Sequence, residues 1–304
     1  MRTAQDSGPI ICSLHTHSRY CDGHGEIDEY VKEAIRVGLA AFGASGHAPL
    51  PFACAYAMPL SSLDAYRADV RQVAARYENE LPVYLGLELD YLPGLTDFYQ
   101  GELVARGFDY FVASVHYVGE PGTEPWTYDE SEDSFAREIE RRHRGDARPV
   151  VEDYYHRICQ MADEVPRLGV PAFVGHLDRI ALWNRQDRYF PTDGAWYSQL
   201  VDEALSAIQR AGLAIELNTS GWAKPAAAPN PGLAILRRCA EREIPALLSA
   251  DAHDPLNVAF RFAEGAQLLA EAGIRELIVP RRDGWRRVSV THDSLMSGTP
   301  NEVD

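Results

Sequence analysis

Lysine is nearly absent from this chain. Lys32 and Lys224 are the only two, so the basic total of 29 rests on arginine. Acidic residues number 45, and the formal net charge is −16. That balance opposes a nucleic-acid binder, which needs a basic face against phosphates. It does not oppose a small anionic substrate, because bound divalent cations make a local field positive whatever the surface carries. Paired cysteines are lacking as well. Cys12, Cys21, Cys54, Cys159 and Cys239 are scattered, form no CxxC pair and are odd in number. This argues against a disulfide framework and for a reducing compartment. No apolar run is long enough for a bilayer, and residues 1–9 are polar without an apolar signal core. The expectation is a cytoplasmic protein with no membrane partner. Internal repeats and low-complexity tracts are absent too, and oligomeric state leaves no readable mark.

What the chain does have is histidine in one kind of place. Short apolar runs keep ending in His, Asp or Glu. Residues 10–14 run into His15-Thr16-His17, 41–46 into His47, 83–87 into Glu88, 110–115 into His116, 172–175 into His176, and 246–250 into Asp251-Ala252-His253. Six of the ten histidines stand at such ends, where a β/α barrel gathers its active site. Neutral imidazoles and carboxylates converging on one point are what borderline metal ions require.

Helical patterns separate these runs, at residues 26–37, 61–77, 97–106, 151–167, 195–211, 232–242 and 255–272. Gly38, Gly107, Gly169, Gly212 and Gly273 fit C-terminal caps. The alternation predicts a parallel sheet with helices outside. Two further strands are expected at 213–217 and 276–279. No composition break divides the chain, so a single domain is expected over 10–290, after a flexible segment 1–9 and before a C-terminal tail 291–304. The stretch 119–149 is long and charged, with a short helix expected around 134–142. It leaves directly after His116, and reads either as a lid over the mouth or as a solvated insertion.

Alternate residues on a strand point the same way, so His15 and His17 can reach one ion. Asp251 and His253 repeat that geometry. In Cys21-Asp22-Gly23-His24-Gly25 either Asp22 or His24 can turn back to the metals, with Asp22 preferred and His24 in reserve. His143, His156 and His292 lie off the pattern.

Taken together these residues resemble the polymerase and histidinol phosphatase (PHP) family, in its histidinol-phosphatase branch. The resemblance runs through His15-Thr16-His17-Ser18, Cys21-Asp22-Gly23, residues 46–51, residues 84–91, Ser114-Val115-His116-Tyr117, Gly175-His176-Leu177-Asp178 and residues 249–253. It implies a distorted (β/α)7 barrel, TIM-like, with three divalent ions (Zn, Mn or Fe) at its mouth. By the same resemblance His15, His17, Glu88 and Asp251 hold the first ion. Glu88 bridges to a second, completed by His116 and His176, and Asp22, His47 and His253 hold a third. Glu88, Asp251 and His253 are the expected catalytic residues.

The implied activity is hydrolysis of a small phosphate ester, L-histidinol phosphate, within histidine biosynthesis. A hydroxide generated between metals would attack phosphorus in line. Asp90 and Asp178 are candidate acids, or else orient histidines. Arg179, Arg185 and Arg188 follow the His176 strand and can fork onto phosphate oxygens. Arg179, Lys224 and Asn218 are the expected substrate-binding residues, and Trp126, Trp183 and Trp222 are candidates for an apolar wall. One departure stands out: Gly221-Trp222-Ala223-Lys224-Pro225 carries Ala223 where relatives often have arginine. An amidohydrolase-type barrel, a polymerase-associated nuclease module and a non-catalytic metal module are the alternatives. The first often bridges its metals with a strand-end lysine, which neither Lys32 nor Lys224 supplies.

Overall fold

The computed structural model describes residues 10–119, 122–282 and 284–297. The expected flexible segment 1–9 and residues 298–304 of the expected tail lie outside the described residues. Helix α1 (Ile27–Arg36) opens where Glu29 turns back to accept the Glu26 N–H at 2.7 Å, and it buries Ile27, Tyr30, Val31 and Ala34. Strand β1 (Phe42–Ala44), helix α2 (Leu63–Arg76), strand β2 (Val83–Asp90), helix α3 (Leu95–Glu102) and strand β3 (Tyr110–Ser114) follow. Strand β4 (Tyr117–Val118) leads into the insertion, which contributes β5 (Trp126–Thr127) and α4 (Glu132–His143). The alternation resumes with α5 (Arg148–Glu164), β6 (Ala172–Val174), α6 (Ala195–Ala211), β7 (Ala214–Asn218), α7 (Leu233–Glu241), β8 (Ala246–Ser249) and α8 (Phe262–Ala272). An antiparallel hairpin, β9 (Glu276–Arg281) and β10 (Gly284–Ser289), and a short α9 (His292–Ser297) complete the order.

The sheet runs β1-β2-β3-β6-β7-β8-β9-β10, and every pairing except β9 with β10 is parallel. Residues 10–17 stand as a further member without forming a regular strand. Ser13 N–H donates to Ala41 O at 3.2 Å and Gly43 N–H to Ser13 O at 2.9 Å. On the other flank His17 N–H donates to Ala252 O at 2.8 Å and Ala252 N–H to His15 O at 3.3 Å. These bonds join the first segment to the end of β8 at the mouth, giving a distorted (β/α)7 barrel with the β9–β10 hairpin attached below. The irregularity has a local cause. Leu14 packs in the barrel interior while the adjacent His15 also turns inward, so the period of two breaks between them.

The inward faces divide by height. Near the strand starts lie Cys12, Leu14, Ala41, Tyr110, Val112, Phe173, Ala214 and Leu247, with Ile278 and Trp285 of the hairpin packed against them. One or two positions further along the same faces come Glu88, Asp90, Ser114, Glu216, Asn218 and Ser249, all buried. The apolar plug thus fills the strand starts and these polar side chains lie toward the C-terminal end. Tyr110 dominates it, donating to Leu14 O at 2.7 Å. Its ring lies so close to β2 that a Cβ on Gly86 would stand 2.3 Å from it, so this position admits only glycine.

Two expectations shift. Residues 255–257 form a 3-10 turn capped by Asp254, whose Oδ1 accepts the Leu256 N–H at 2.9 Å. The expected helix starts only at Phe262, because Arg261 adopts φ 53°, which no α-helix passes. Residues 292–297, expected as tail, form α9 and bury Leu295. The insertion is packed rather than solvated: Tyr128 is fully buried with its hydroxyl on Val115 O at 2.7 Å, and α4 buries Phe135 and Ile139. Among the described residues no helix is long and apolar enough to cross a membrane.

Candidate metal centre

The strand ends and the loop carrying Asp22 bring six imidazoles and three carboxylates into one cluster, buried except at Asp22 and His253. His15 Nε2 and His17 Nε2 lie 3.2 and 3.5 Å from Glu88 Oε2, and 3.7 and 3.1 Å from Asp251 Oδ1. His116 Nε2 and His176 Nε2 lie 3.5 and 3.0 Å from the other oxygen, Glu88 Oε1, and 3.2 Å from each other. Asp22 sits 3.8 Å from His47 Nε2, 3.4 Å from His253 Nε2 and 3.6 Å from His17 Nδ1. Donors bound at 2.0–2.1 Å to one tetrahedral ion stand about 3.4 Å apart, so the spacing matches shared ions. Glu88 divides its two oxygens between two of these groups, and His47 Nδ1 also meets it at 3.0 Å.

The cluster fits metal ions on a further ground. His15 Nε2, His17 Nε2 and His47 Nδ1 are buried without a hydrogen bond of normal geometry and face the carboxylates. Nitrogens left so at the end of a barrel are costly without a ligand. A mixed imidazole and carboxylate set suits Zn, Mn or Fe.

Electrostatics follows from crowding. Burial would raise the Glu88 and Asp251 carboxyls, yet the surrounding imidazoles, His15 foremost, hold both well below the usual range. Burial, with His253 and His47 nearby, pulls His17 down to about 3. Burial also lowers His176. For His15 and His116 burial acts the same way but loses. Glu216, Glu88 and Asp251 raise His15, and Asp90 with Glu88 lifts His116 to about 10.

A family model for the "PHP domain" matches residues 13–220. The chain belongs to the PHP domain family. A Deinococcus radiodurans protein named "Probable histidinol-phosphatase" is 33% identical over 276 residues, covering 90% of this chain and 97% of that one. The Bacillus subtilis histidinol-phosphatase is 29% identical over 267 residues, covering 82% and 95% respectively. The solved structure of histidinol phosphate phosphatase from Lactococcus lactis, complexed with Zn, L-histidinol and phosphate, shares the fold. Its TM-score is 0.63 at 21% identity, with 88% of this chain and 96% of that one covered.

In this PHP domain both Asp22 and His24 are exposed, but Asp22 joins the cluster through its side chain, whereas His24 bonds through its backbone, its N–H to His253 O and its carbonyl to the Tyr30 hydroxyl. The strongest residue missed by sequence reasoning is Glu216. It is fully buried on β7, takes His15 Nδ1 at 2.9 and 3.1 Å, and accepts the His176 N–H at 2.7 Å, the Asn218 amide at 3.0 Å and the Ser249 hydroxyl. The available signal was its parity with Asn218 two residues on. Both oxygens of Asp90 are engaged: one holds His116 Nδ1, and the other accepts the Tyr56 hydroxyl at 2.9 Å. Asp178 turns away, accepting from Asn230 at 2.7 Å and Gly232 N–H at 3.0 Å.

A cavity of about 640 Å³ opens over the cluster, walled by Tyr56, Tyr117, Trp126, Asp129, Glu130, Arg179 and Lys224. Of the expected substrate-binding residues, Arg179 and Lys224 line it, but Asn218 does not. Asn218 is fully buried and spends its amide on Glu216 and on Asp251 at 3.3 Å. Arg188 pairs with Glu132 on the surface, Trp222 lies under Arg261, and Trp183 donates to Tyr128 O at 2.9 Å. Only Trp126 of the three tryptophans faces the cavity. A larger cleft of about 1400 Å³ lies among the ends of α6, α7 and α8, and includes none of these donors.

Proposed function

We propose that this PHP domain is a metal-dependent phosphomonoesterase that hydrolyses L-histidinol phosphate to L-histidinol and phosphate. One observation carries the reading: seven of the nine donors line a single cavity whose wall presents Arg179 and Lys224, with His15 and His17 buried directly beneath. The 33% and 29% identical relatives supply the choice of ester. Three divalent ions, Zn, Mn or Fe, fit the donors in three sets. His15, His17, Glu88 and Asp251 would hold one, Glu88, His116 and His176 a second, and Asp22, His47 and His253 a third. When bound, such ions lower the pKa of a coordinated water and neutralise phosphate oxygens.

The chain's own residues do the rest. Glu216 and Asp90 hold protons on His15 Nδ1 and His116 Nδ1, so the proton each ring gives up to an ion is the one on Nε2, beside Glu88. Arg179 offers guanidinium donors to the ester's phosphate oxygens, and Lys224 adds a point charge in place of the arginine that Ala223 lacks. Tyr117 and Trp126 give the apolar part of the ester a wall and keep bulk water off the reacting end. The five cysteines are free, which supports a cytosolic setting.

The test is phosphate release by purified, metal-analysed protein from L-histidinol phosphate beside a panel of phosphomonoesters, with and without chelator. Chelator-sensitive preference for histidinol phosphate is expected. Chelator-sensitive activity on other esters alone would assign a different substrate to the same site, the reading that Ala223 favours.

A further inference from the structure

We infer that Asp129, supplied by the 119–149 insertion, is a positioning residue that fixes Arg179 for phosphate binding and keeps it off the metal-ligating carboxylate of Asp251. The inference rests on the phosphoesterase reading above. Asp129 Oδ2 accepts from Arg179 Nε at 2.9 Å, and both side chains are mostly buried, at 14% and 13% exposure. The next carboxylate is close: Arg179 Nη1 stands 3.8 Å from Asp251 Oδ2. Asp251 has its own partners in His17, Asn218 and Ser220. A guanidinium that swung fully onto Asp251 Oδ2 would draw charge from, and turn, the carboxylate whose Oδ1 faces His15 and His17, and would withdraw from the cavity. Asp129 holds the Nε edge, so the Nη donors stay at the wall.

Asp129 can do this because its backbone is anchored, although it lies in an insertion. The preceding Tyr128 is fully buried, bonds Val115 O through its hydroxyl, and packs edge-on against Tyr154. Trp183 donates to Tyr128 O at 2.9 Å. On the following side Glu132 accepts from Arg188 and from the Tyr189 hydroxyl at 3.1 Å. The insertion is therefore tied at both sides of Asp129 to the segment that carries Arg179. Burial of the Asp129 carboxyl opposes its charge, but Arg179 overcomes this and holds it ionised.

The experiment is a double-mutant cycle on metal-loaded protein with Asp129→Asn, Arg179→Ala and the pair, read by inorganic phosphate affinity in titration calorimetry. KM and kcat are read beside it, and metal retention after dialysis is measured. Asp129→Asn preserves shape, and melting curves check folding. Asp129→Asn should weaken phosphate binding and raise KM roughly 10- to 100-fold, the loss of one charge-assisted hydrogen bond. It should also lower metal retention. Arg179→Ala should weaken phosphate binding but retain metal, and the pair should be no worse than Arg179→Ala alone. Asp129→Glu should recover part of the loss. Unchanged phosphate affinity in Asp129→Asn, or a loss that adds in full to that of Arg179→Ala, overturns the inference. Wild-type protein that binds phosphate but ignores histidinol phosphate overturns the proposed substrate and leaves this test intact.

Discussion

Replacing Glu216 by glutamine probes the least visible part of the site. Glu216 receives four donors: His15 Nδ1, the His176 N–H, the Asn218 amide and the Ser249 hydroxyl. Alanine would strand three of them, Asn218 keeping Asp251, at about 1–3 kcal/mol each, a sum comparable to the whole stability of a domain. Glutamine keeps the volume and one acceptor oxygen, but it turns one of two oxygens into a donor. Both oxygens lie near His15 Nδ1, at 3.1 and 2.9 Å. An amide NH₂ beside Nδ1 disfavours the proton there and shifts it toward Nε2. That nitrogen faces Glu88 and Asp251, and once protonated it cannot bind a metal. Loss of such a supporting carboxylate costs roughly 10–100-fold in metal affinity or activity. Metal content after dialysis and kcat on a phosphomonoester read the effect, with a melting curve confirming the fold. A folded Glu216→Gln protein with full metal content and normal kcat would refute the argument.

Other expectations follow from the same geometry. His15→Ala and Asp251→Ala should abolish phosphate release with the barrel intact, as circular dichroism and turnover would report; normal turnover in either removes it from the centre. Asp22→Ala should lose activity while His24→Ala stays within about twofold, the usual range of a neutral surface change, and the reverse order would exchange their roles. Metal loading must expel protons from His15 and His116, both held above the usual histidine range. Metal affinity should therefore rise with pH until about 10, where His116 gives up its proton unaided, and calorimetry in buffers of different ionisation enthalpy would detect the released protons. Gly86→Ala should destabilise by about 1–3 kcal/mol through the Tyr110 ring, and an unchanged denaturation midpoint would count against the close contact.

The strand-end rule is local, so the sequence exposed His15, His17, His47, Glu88, His116, His176, Asp251 and His253 without a structure. An apolar run followed by a polar residue of the right parity needs no knowledge of its neighbours. The helices were legible for the same reason, and α6 (Ala195–Ala211) matches its expected bounds. Where φ angles break a pattern, as at Arg261, apolar spacing misleads. Asn218 and Glu216 show the limit most clearly. Both sit on one face of β7, yet the sequence pointed to the outer one as substrate-binding. In the fold the outer residue supports carboxylates and the inner one holds His15.

What the sequence determined by itself was the inventory: enough imidazoles and carboxylates, each at a strand end, on strands whose alternation closes a β/α barrel. Tertiary structure alone decided who meets whom. His15 and Glu216 are 201 positions apart, and Asp129 and Arg179 are 50 apart. Barrel closure, the Tyr110 plug beneath and the insertion above set those distances. Such pairings are decided by where separate elements end in space, and the period of a single strand carries no record of that.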